Sequence, residues 1–385
     1  MCCKVVVFGI TGSIGTGAEK IISTFPEKFR LVGCSAGKNI DLLNEIIIPH
    51  KELEALAVKE ADDINRVDFD QNKVFSGEEG VMKLLDLNPD RIVNAMSGNA
   101  GWKITLEAVR RGIPVCLANK ESVVIAGYYL GKEITTDRTK IIPIDSEHAA
   151  LMQLLENVDM SCVSRVFLTA SGGALRSMSA LEMEESDAET ALKHPVWNMG
   201  AKVTVDSATM LNKGLELIEA YWLFGIEPEK LGVLVHPEVD VHAAVLFKDG
   251  SSISQLAPSS MLIPIAAALA YPEMLPVVER IPELQFSFLG KKMSFNAPDL
   301  DKYILLKIAL KLLEHKDYSG MVAYAVSDET AVNKFLQNEI KIKGIHKIVS
   351  EAVEEFSGIK PPSNEVEIES LIDRIEKFSM KISVN

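Results

Sequence analysis

Val5-Val6-Val7-Phe8-Gly9-Ile10-Thr11-Gly12-Ser13-Ile14-Gly15 is the stretch that decides the fold. Its first four residues are apolar and mostly β-branched, the pattern of a buried parallel strand. A glycine turn follows at once, and Ile14 to Thr24 then reads as a helix. Glycines let a backbone turn tightly and approach a pyrophosphate, and the helix start adds free N–H donors and a positive dipole. Gly9, Thr11, Gly12, Ser13 and Ile14 are therefore expected to bind a dinucleotide. The spacing is G-x-x-G-x-x-G rather than the commoner G-x-G-x-x-G, and a plain tight turn is the competing reading.

Outward from this stretch, short apolar runs alternate with amphipathic ones. Strands are expected at Leu31–Ala36, Arg91–Ala95, Val115–Ala118 and Lys140–Ile144, with helices between, including Trp102–Arg111 and Glu121–Lys132. That alternation predicts an α/β fold: a Rossmann-like, doubly wound nucleotide domain over residues 1–145. The second strand ends in Cys34-Ser35-Ala36, with no carboxylate for a ribose 2′-hydroxyl, and continues Gly37-Lys38-Asn39. Lys38 can face a 2′-phosphate, so NADP is preferred over NAD; a solvated turn lysine is the alternative.

From residue 146 to 272 the pattern changes to a central α+β domain. Strands are expected at Arg165–Thr169, Val203–Val205, Val233–His236 and Ala244–Phe247, with a hairpin at Asp249-Gly250. Pro276 and Pro282 fall in an expected linker, 273–300, after Pro272. Helical spacing of Ile304, Leu305, Ile308 and Leu312 predicts a C-terminal helical bundle over 301–385.

Composition narrows the function. The 385 residues carry 54 acidic against 40 basic side chains, a formal charge of −14, which disfavours nucleic-acid binding. The most apolar run, Met261–Ala270, is too short to span a bilayer, and no secretory signal is visible. Five scattered cysteines without a C-x-x-C pair suit a reducing, cytoplasmic compartment, with Cys34 and Cys116 as small core residues.

Two polar clusters stand out. Asp145-Ser146-Glu147 follows a strand, and two carboxylates on one side of an extended chain suit a hard cation; a solvated loop is the alternative. Residues Asp206 to Phe224 read as one helix capped by Asp206 or Ser207, with Thr209, Asn212, Glu216 and Glu219 on one polar stripe. Glu216 would supply a third carboxylate. Gly214 costs such a helix about 1 kcal/mol against Ala, a cost that suggests a binding role for the segment. Small hydroxyls, an amide and Lys213 make a phosphate cradle. Two loops, Thr169 to Gly173 and Lys193 to Gly200, add a hydroxyl with exposed N–H groups and an apolar cover.

These motifs together resemble the 1-deoxy-D-xylulose 5-phosphate reductoisomerase family. The resemblance rests on Gly9–Gly15, Ala36–Asn39, Ala118-Asn119-Lys120-Glu121-Ser122, Asp145–His148, Ser171–Gly173, His194–Gly200 and Asp206–Glu216, in the family's order. It implies a homodimeric enzyme of non-mevalonate isoprenoid synthesis, acting on a small phosphosugar. Such an enzyme rearranges and reduces its substrate with NADPH and a divalent cation, magnesium or manganese, with cobalt as an alternative. Carried onto this chain, Asp145, Glu147 and Glu216 are the metal ligands and, with Lys120, the catalytic set. Ser146, Ser171, Ser207, Asn212 and Lys213 contact substrate, as do His194 and Trp197 of the covering loop. The cofactor set extends to Gly37, Lys38, Asn39, Asn119, Lys120, Glu121, Met199 and Gly200, and His242 matches a second family histidine.

The chain departs from the family at Ala170 and Ala174, where Gly and Pro are common, at 257–262, and at Ser327-Asp328-Glu329 in place of an Asn-rich segment. Two other readings compete. One is a different NADP-dependent dehydrogenase, which as a thioester-forming semialdehyde enzyme would need a cysteine nucleophile, with only Cys162 in the middle domain. The other is a non-catalytic NADPH-binding sensor on the same scaffold.

Overall fold

The computed structural model describes residues 2–137, 140–193 and 200–384, with the side chains of 132–136 left aside. The chain forms two compact units. The first comprises residues 1–119, 136–149 and 260–285, and the second 120–135, 150–259 and 286–385.

The first unit is built on seven parallel strands: β1 (Cys3–Phe8), β2 (Phe29–Ala36), β3 (Ala55–Val58), β4 (Val74–Ser76), β5 (Arg91–Asn94), β6 (Val115–Leu117) and β7 (Ile141–Pro143). Their order is β4-β3-β2-β1-β5-β6-β7, so β1 lies between its two directions of growth. Val5 to Phe8 are completely buried, as a strand covered on both faces requires. The topological switch beside β1 leaves a crevice at the strands' carboxyl ends, where the glycine turn sits. Helix Leu262–Ala270 returns to this unit. The Ile265 Cδ1 atom would lie 2.7 Å from a Cβ at Gly17, on helix Ser13–Thr24, and Arg91 donates to the carbonyls of Ala268 (2.9 Å), Leu269 (2.7 Å) and Tyr271 (3.1 Å).

The second unit carries a mixed sheet, β8 (Val163–Ala170), β9 (Leu231–Val235), β10 (Val241–Phe247) and β11 (Ser252–Leu256), in the order β11-β10-β8-β9. The expected hairpin is present: β10 and β11 are antiparallel across Asp249-Gly250, with Gly250 at φ +90°. Helices Ile304–Glu314, Tyr318–Leu336, Ile342–Phe356 and Glu365–Lys381 form the expected C-terminal bundle.

Two local expectations fail. Val203–Val205 is not a strand but part of helix Ala201–Ala208. The Val-Thr-Val run favours a strand locally, yet Thr204, Val205 and Ala208 form a buried helical face, and packing overrides propensity. The segment from Asp206 is also not one helix. Helix Ala201–Ala208 ends, Met210 takes a left-handed φ of +60°, and helix Leu211–Phe224 begins afresh. Asp206 and Ser207 therefore close one helix rather than cap the next.

Candidate active site

In the first unit the glycine turn is held by close backbone approach. Gly9 has φ +78°, and a Cβ there would stand 2.6 Å from the Ala95 carbonyl oxygen. A Cβ on Gly15 would fall 2.2 Å from Gly9 O, so helix Ser13–Thr24 packs directly on the turn. That helix starts at Gly12 with no side-chain cap and no acid in its first turn. Gly12 and Ser13 are exposed there, with Thr11 and Ile14 partly so. Donors without competing side chains suit an anion. At the end of β2, Lys38 is exposed, Gly37 faces open space, and Asn39 caps the next helix by accepting from Leu42 N at 3.1 Å. Asn119 spends its amide hydrogens on Met96 O (2.9 Å) and Gly98 O (2.8 Å), bracing the turn after β5.

The first acidic cluster lies after β7. Extended geometry does not align it as expected, because Ser146 already opens helix Ser146–Leu154. Asp145 instead precedes that helix, where its Oδ1 accepts from Glu147 N at 3.3 Å and lies 3.2 Å from His148 Nδ1. Ser146 Oγ donates to Glu147 Oε2. His148, the last residue of the Asp145–His148 motif, is completely buried and has no role assigned from sequence. Its signal was available in the i,i+3 spacing from Asp145, and such a partner fixes a carboxylate's orientation.

The second unit gathers the remaining charged residues. Glu216 is 1% exposed, and three side chains donate to it: Lys120 Nζ to Oε1 at 2.8 Å, Asn212 Nδ2 to Oε1 and Lys213 Nζ to Oε2. Asn212, Lys213 and Glu216 occupy one face of helix Leu211–Phe224, as their spacing predicted, and Lys120 begins helix Lys120–Thr136. Glu219 of the same stripe is also buried. Gly214 serves packing: a Cβ there would meet Tyr324 Oη at 2.3 Å and Ala309 Cβ at 2.8 Å.

Ser171 and Ser207 come together through backbone. Gly172 and Gly173 have φ of +84° and +68°, and a Cβ on Gly173 would lie 2.5 Å from Ser207 O and 2.6 Å from Ala208 Cα. Ser171 Oγ accepts from Gly173 N at 3.1 Å. Three residues missed by sequence reasoning hold this turn. Arg176 Nη1 donates to Ser171 O (2.5 Å), and Tyr303 Oη to Gly172 O (3.2 Å). Lys302 Nζ donates to the carbonyls of Leu175 (2.9 Å), Arg176 (2.8 Å) and Met178 (2.6 Å), and burial pulls its ammonium below the ordinary lysine range. No local signal marks Lys302 and Tyr303, since their partners lie far back in the chain.

His242 is buried on β10, where its carbonyl accepts from Thr169 Oγ1 at 3.1 Å. Gly200 is exposed at the start of helix Ala201–Ala208. His194, Trp197 and Met199 lie outside the described residues. The five cysteines are free thiols; Cys34 and Cys116 are buried, as expected of core residues, and burial pushes Cys116 up to about 12.

The donor sets suit the groups expected from sequence. Asp145, Glu147 and Glu216 offer only carboxylate oxygens, the ligand type of a hard divalent cation. The glycine turn, where a Cβ would collide with backbone, leads into the exposed, uncapped start of helix Ser13–Thr24, which suits a pyrophosphate. Among the described residues, no helix is long and apolar enough to cross a membrane.

Comparison with known proteins identifies the family. The family description "1-deoxy-D-xylulose 5-phosphate reductoisomerase" matches residues 5–127, its C-terminal domain matches 141–224, and "DXP reductoisomerase C-terminal domain" matches 256–378. The 1-deoxy-D-xylulose 5-phosphate reductoisomerase of Thermodesulfovibrio yellowstonii is 38% identical over 95% of this chain and 96% of its own. That of a Thermoanaerobacter species is 37% identical over 99% and 98%. A crystal structure of DOX-P reductoisomerase with NADPH, fosmidomycin and magnesium superposes with a TM-score of 0.85 at 30% identity, covering 98% of this chain and 97% of that one. The Zymomonas mobilis enzyme in complex with NADPH gives 0.85 at 29%, covering 99% and 98%. With near-complete coverage in sequence and in structure, the chain belongs to the 1-deoxy-D-xylulose 5-phosphate reductoisomerase family.

Proposed function

We propose that the chain converts 1-deoxy-D-xylulose 5-phosphate to 2-C-methyl-D-erythritol 4-phosphate, a step of non-mevalonate isoprenoid synthesis, using NADPH and a divalent cation. The observation that carries this reading is the buried Glu216, with Lys120, Asn212 and Lys213 all donating to it, in a chain of this family.

In this reading Ser171, Ser207, Asn212 and Lys213 hold the substrate phosphate. Their binding energy is remote from the reacting carbons and keeps the sugar in register. Lys120 and Ser146 contact its oxygen-bearing end, and His194 and Trp197 cover it. Gly9 to Ile14, Gly37 to Asn39, Asn119 to Glu121, Met199 and Gly200 bind NADPH, with Lys38 on the 2′-phosphate. Asp145, Glu147 and Glu216 are the ligands for magnesium or manganese. His148 supports this role by its hydrogen-bond distance from Asp145, and Lys120 and Lys213 balance the Glu216 charge. When bound, the cation polarises two vicinal substrate oxygens during the carbon shift and NADPH supplies the hydride.

The functional division follows: a nucleotide domain over 1–145, a catalytic and dimerisation domain over 146–272, a linker over 273–300 and a helical domain over 301–385. A homodimer is part of the proposal, supported by β11, an edge strand with Ile253 exposed. A cytoplasmic location is supported by five free thiols. The dehydrogenase and sensor readings gain no support, since Cys162 is exposed just ahead of β8, outside both clusters.

Glu216→Gln tests the ligand assignment. The polarisation at stake is worth several kcal/mol, so turnover should fall by about a thousandfold, with NADPH affinity changed less than about twofold. Mn2+ titration of the variant should show weakened binding. Unchanged turnover at limiting metal would remove Glu216 from the site.

A further inference from the structure

Behind the turn that carries Ser207, three carboxylates meet one ammonium. Lys202 Nζ lies 2.6 Å from Asp328 Oδ2, 2.8 Å from Asp206 Oδ2 and 3.2 Å from Glu121 Oε1. Asp206 and Asp328 are buried, and the second oxygen of each, Asp206 Oδ1 and Asp328 Oδ1, has no hydrogen-bond partner among the described residues. One cation against three acids leaves an excess of negative charge on the two buried aspartates. Such a cluster lowers its charge by keeping a proton.

Three elements join here, and two lead to the substrate. Asp206 directly precedes Ser207, whose carbonyl is the surface against which Gly173 packs. Glu121 directly follows Lys120, which donates to Glu216. Asp328 belongs to the bundle helix Tyr318–Leu336. The same helix also presents Tyr324, which donates to Leu211 O (3.3 Å) and Leu305 O (3.2 Å), and Glu329, while Lys120 faces the cluster beside Glu121.

We propose that Lys202 and Asp328 are positioning residues, which clamp the Ser207 turn and the Lys120 helix start in one buried ion group whose retained proton keeps the phosphate site in register, so that substrate affinity falls on the alkaline side. The proposal rests on the function proposed above. Burial, followed by the charge of Asp328, pushes the Asp206 carboxyl up to about 8. Burial also raises Asp328, against the pull of Lys202. Burial opposes the Lys202 charge, yet Asp206, Asp328 and Glu121 together hold that ammonium protonated well above the ordinary lysine range. Burial likewise opposes the Glu121 charge, and Lys202 outweighs it. A carboxyl raised in this way is neutral at pH 7 and ionises above about 8, adding a second uncompensated charge beside Ser207.

The test uses the full-length enzyme and its Asp328→Asn variant, which keeps the shape of a protonated carboxyl. KM for 1-deoxy-D-xylulose 5-phosphate and kcat are measured from pH 7 to pH 9, where a phosphate monoester is already dianionic. A required proton lost near pH 8 raises the wild-type KM by about tenfold over this range, with kcat changing less. The variant should keep the wild-type KM at pH 7 and a flat KM to pH 9. An alkaline rise of the same size in both proteins overturns the proposal. Thermal unfolding from pH 5 to pH 9 gives a readout free of turnover: the wild type should lose stability relative to the variant as pH rises toward 8 and level off above it, and parallel curves count against it. If neither protein turns over but the unfolding curves diverge, the reaction reading fails and the ion group stands.

Discussion

Gly173→Ala isolates the turn that joins Ser171 to Ser207. Two costs can be worked from the structure. The left-handed φ of +68° disfavours any side chain, by about 1–2 kcal/mol. The new methyl would also stand 2.5 Å from Ser207 O and 2.6 Å from Ala208 Cα, backbone atoms that cannot rotate away. Forcing extra atoms into packed structure costs about 1–3 kcal/mol more. The sum, about 2–5 kcal/mol, appears either as lost stability or as a displaced turn, and even its lower end is about thirtyfold in affinity. Gly172→Ala is the control. Its φ of +84° carries the same strain, but the atoms nearest its methyl belong to the side chain of Arg176 rather than to backbone. Steady-state kinetics with 1-deoxy-D-xylulose 5-phosphate should show kcat/KM down by about thirtyfold or more in Gly173→Ala and by less than about tenfold in Gly172→Ala. NADPH affinity, read by nucleotide fluorescence, should stay near wild type in both. If Gly173→Ala matches wild type in kinetics and in thermal unfolding, the reasoning fails.

Two further predictions concern separate parts of the chain. His346 is buried with neither ring nitrogen hydrogen-bonded among the described residues, and burial holds its imidazole down at about 4 against 6.5 when unfolded. The neutral form is favoured in the fold, so this contribution is complete above pH 6.5 and lost as pH falls toward 4; about 2 kcal/mol is gone by pH 5. His346→Leu should therefore gain about that much stability relative to wild type between pH 7.5 and pH 5 in urea unfolding, and an unchanged difference would contradict it. Lys38→Ala should lower kcat/KM for NADPH by about tenfold, the scale of one charge-assisted contact, and leave NADH unaffected; an unaltered preference would remove Lys38 from the 2′-phosphate.

The first unit was largely legible because its determinants are local. Strand β1, the glycine turn and the helix behind it are contiguous, and each glycine answers to a backbone atom a few residues away or on the next strand. The i,i+3 and i,i+4 spacing of Asn212, Lys213 and Glu216 likewise placed them on one helical face. Illegible features depend on distant chain. Val203–Val205 has strand-like residues but a helical burial pattern imposed by packing. The helix cost of Gly214 suggested a binding role for its segment, and its reason is Tyr324, more than a hundred residues later. Lys302 and Tyr303 brace Ser171–Met178 across similar separations. Asp328 reads in sequence as a helix residue, and only the fold sets it on Lys202.

The most direct measurement of the central claim is NADPH consumption by the purified chain with 1-deoxy-D-xylulose 5-phosphate, with added magnesium or manganese and after chelation, with the product identified by NMR. The account predicts oxidation that depends on both substrate and metal, with 2-C-methyl-D-erythritol 4-phosphate formed in step with NADPH lost. NADPH binding without turnover in the presence of metal, or a different product, would contradict it.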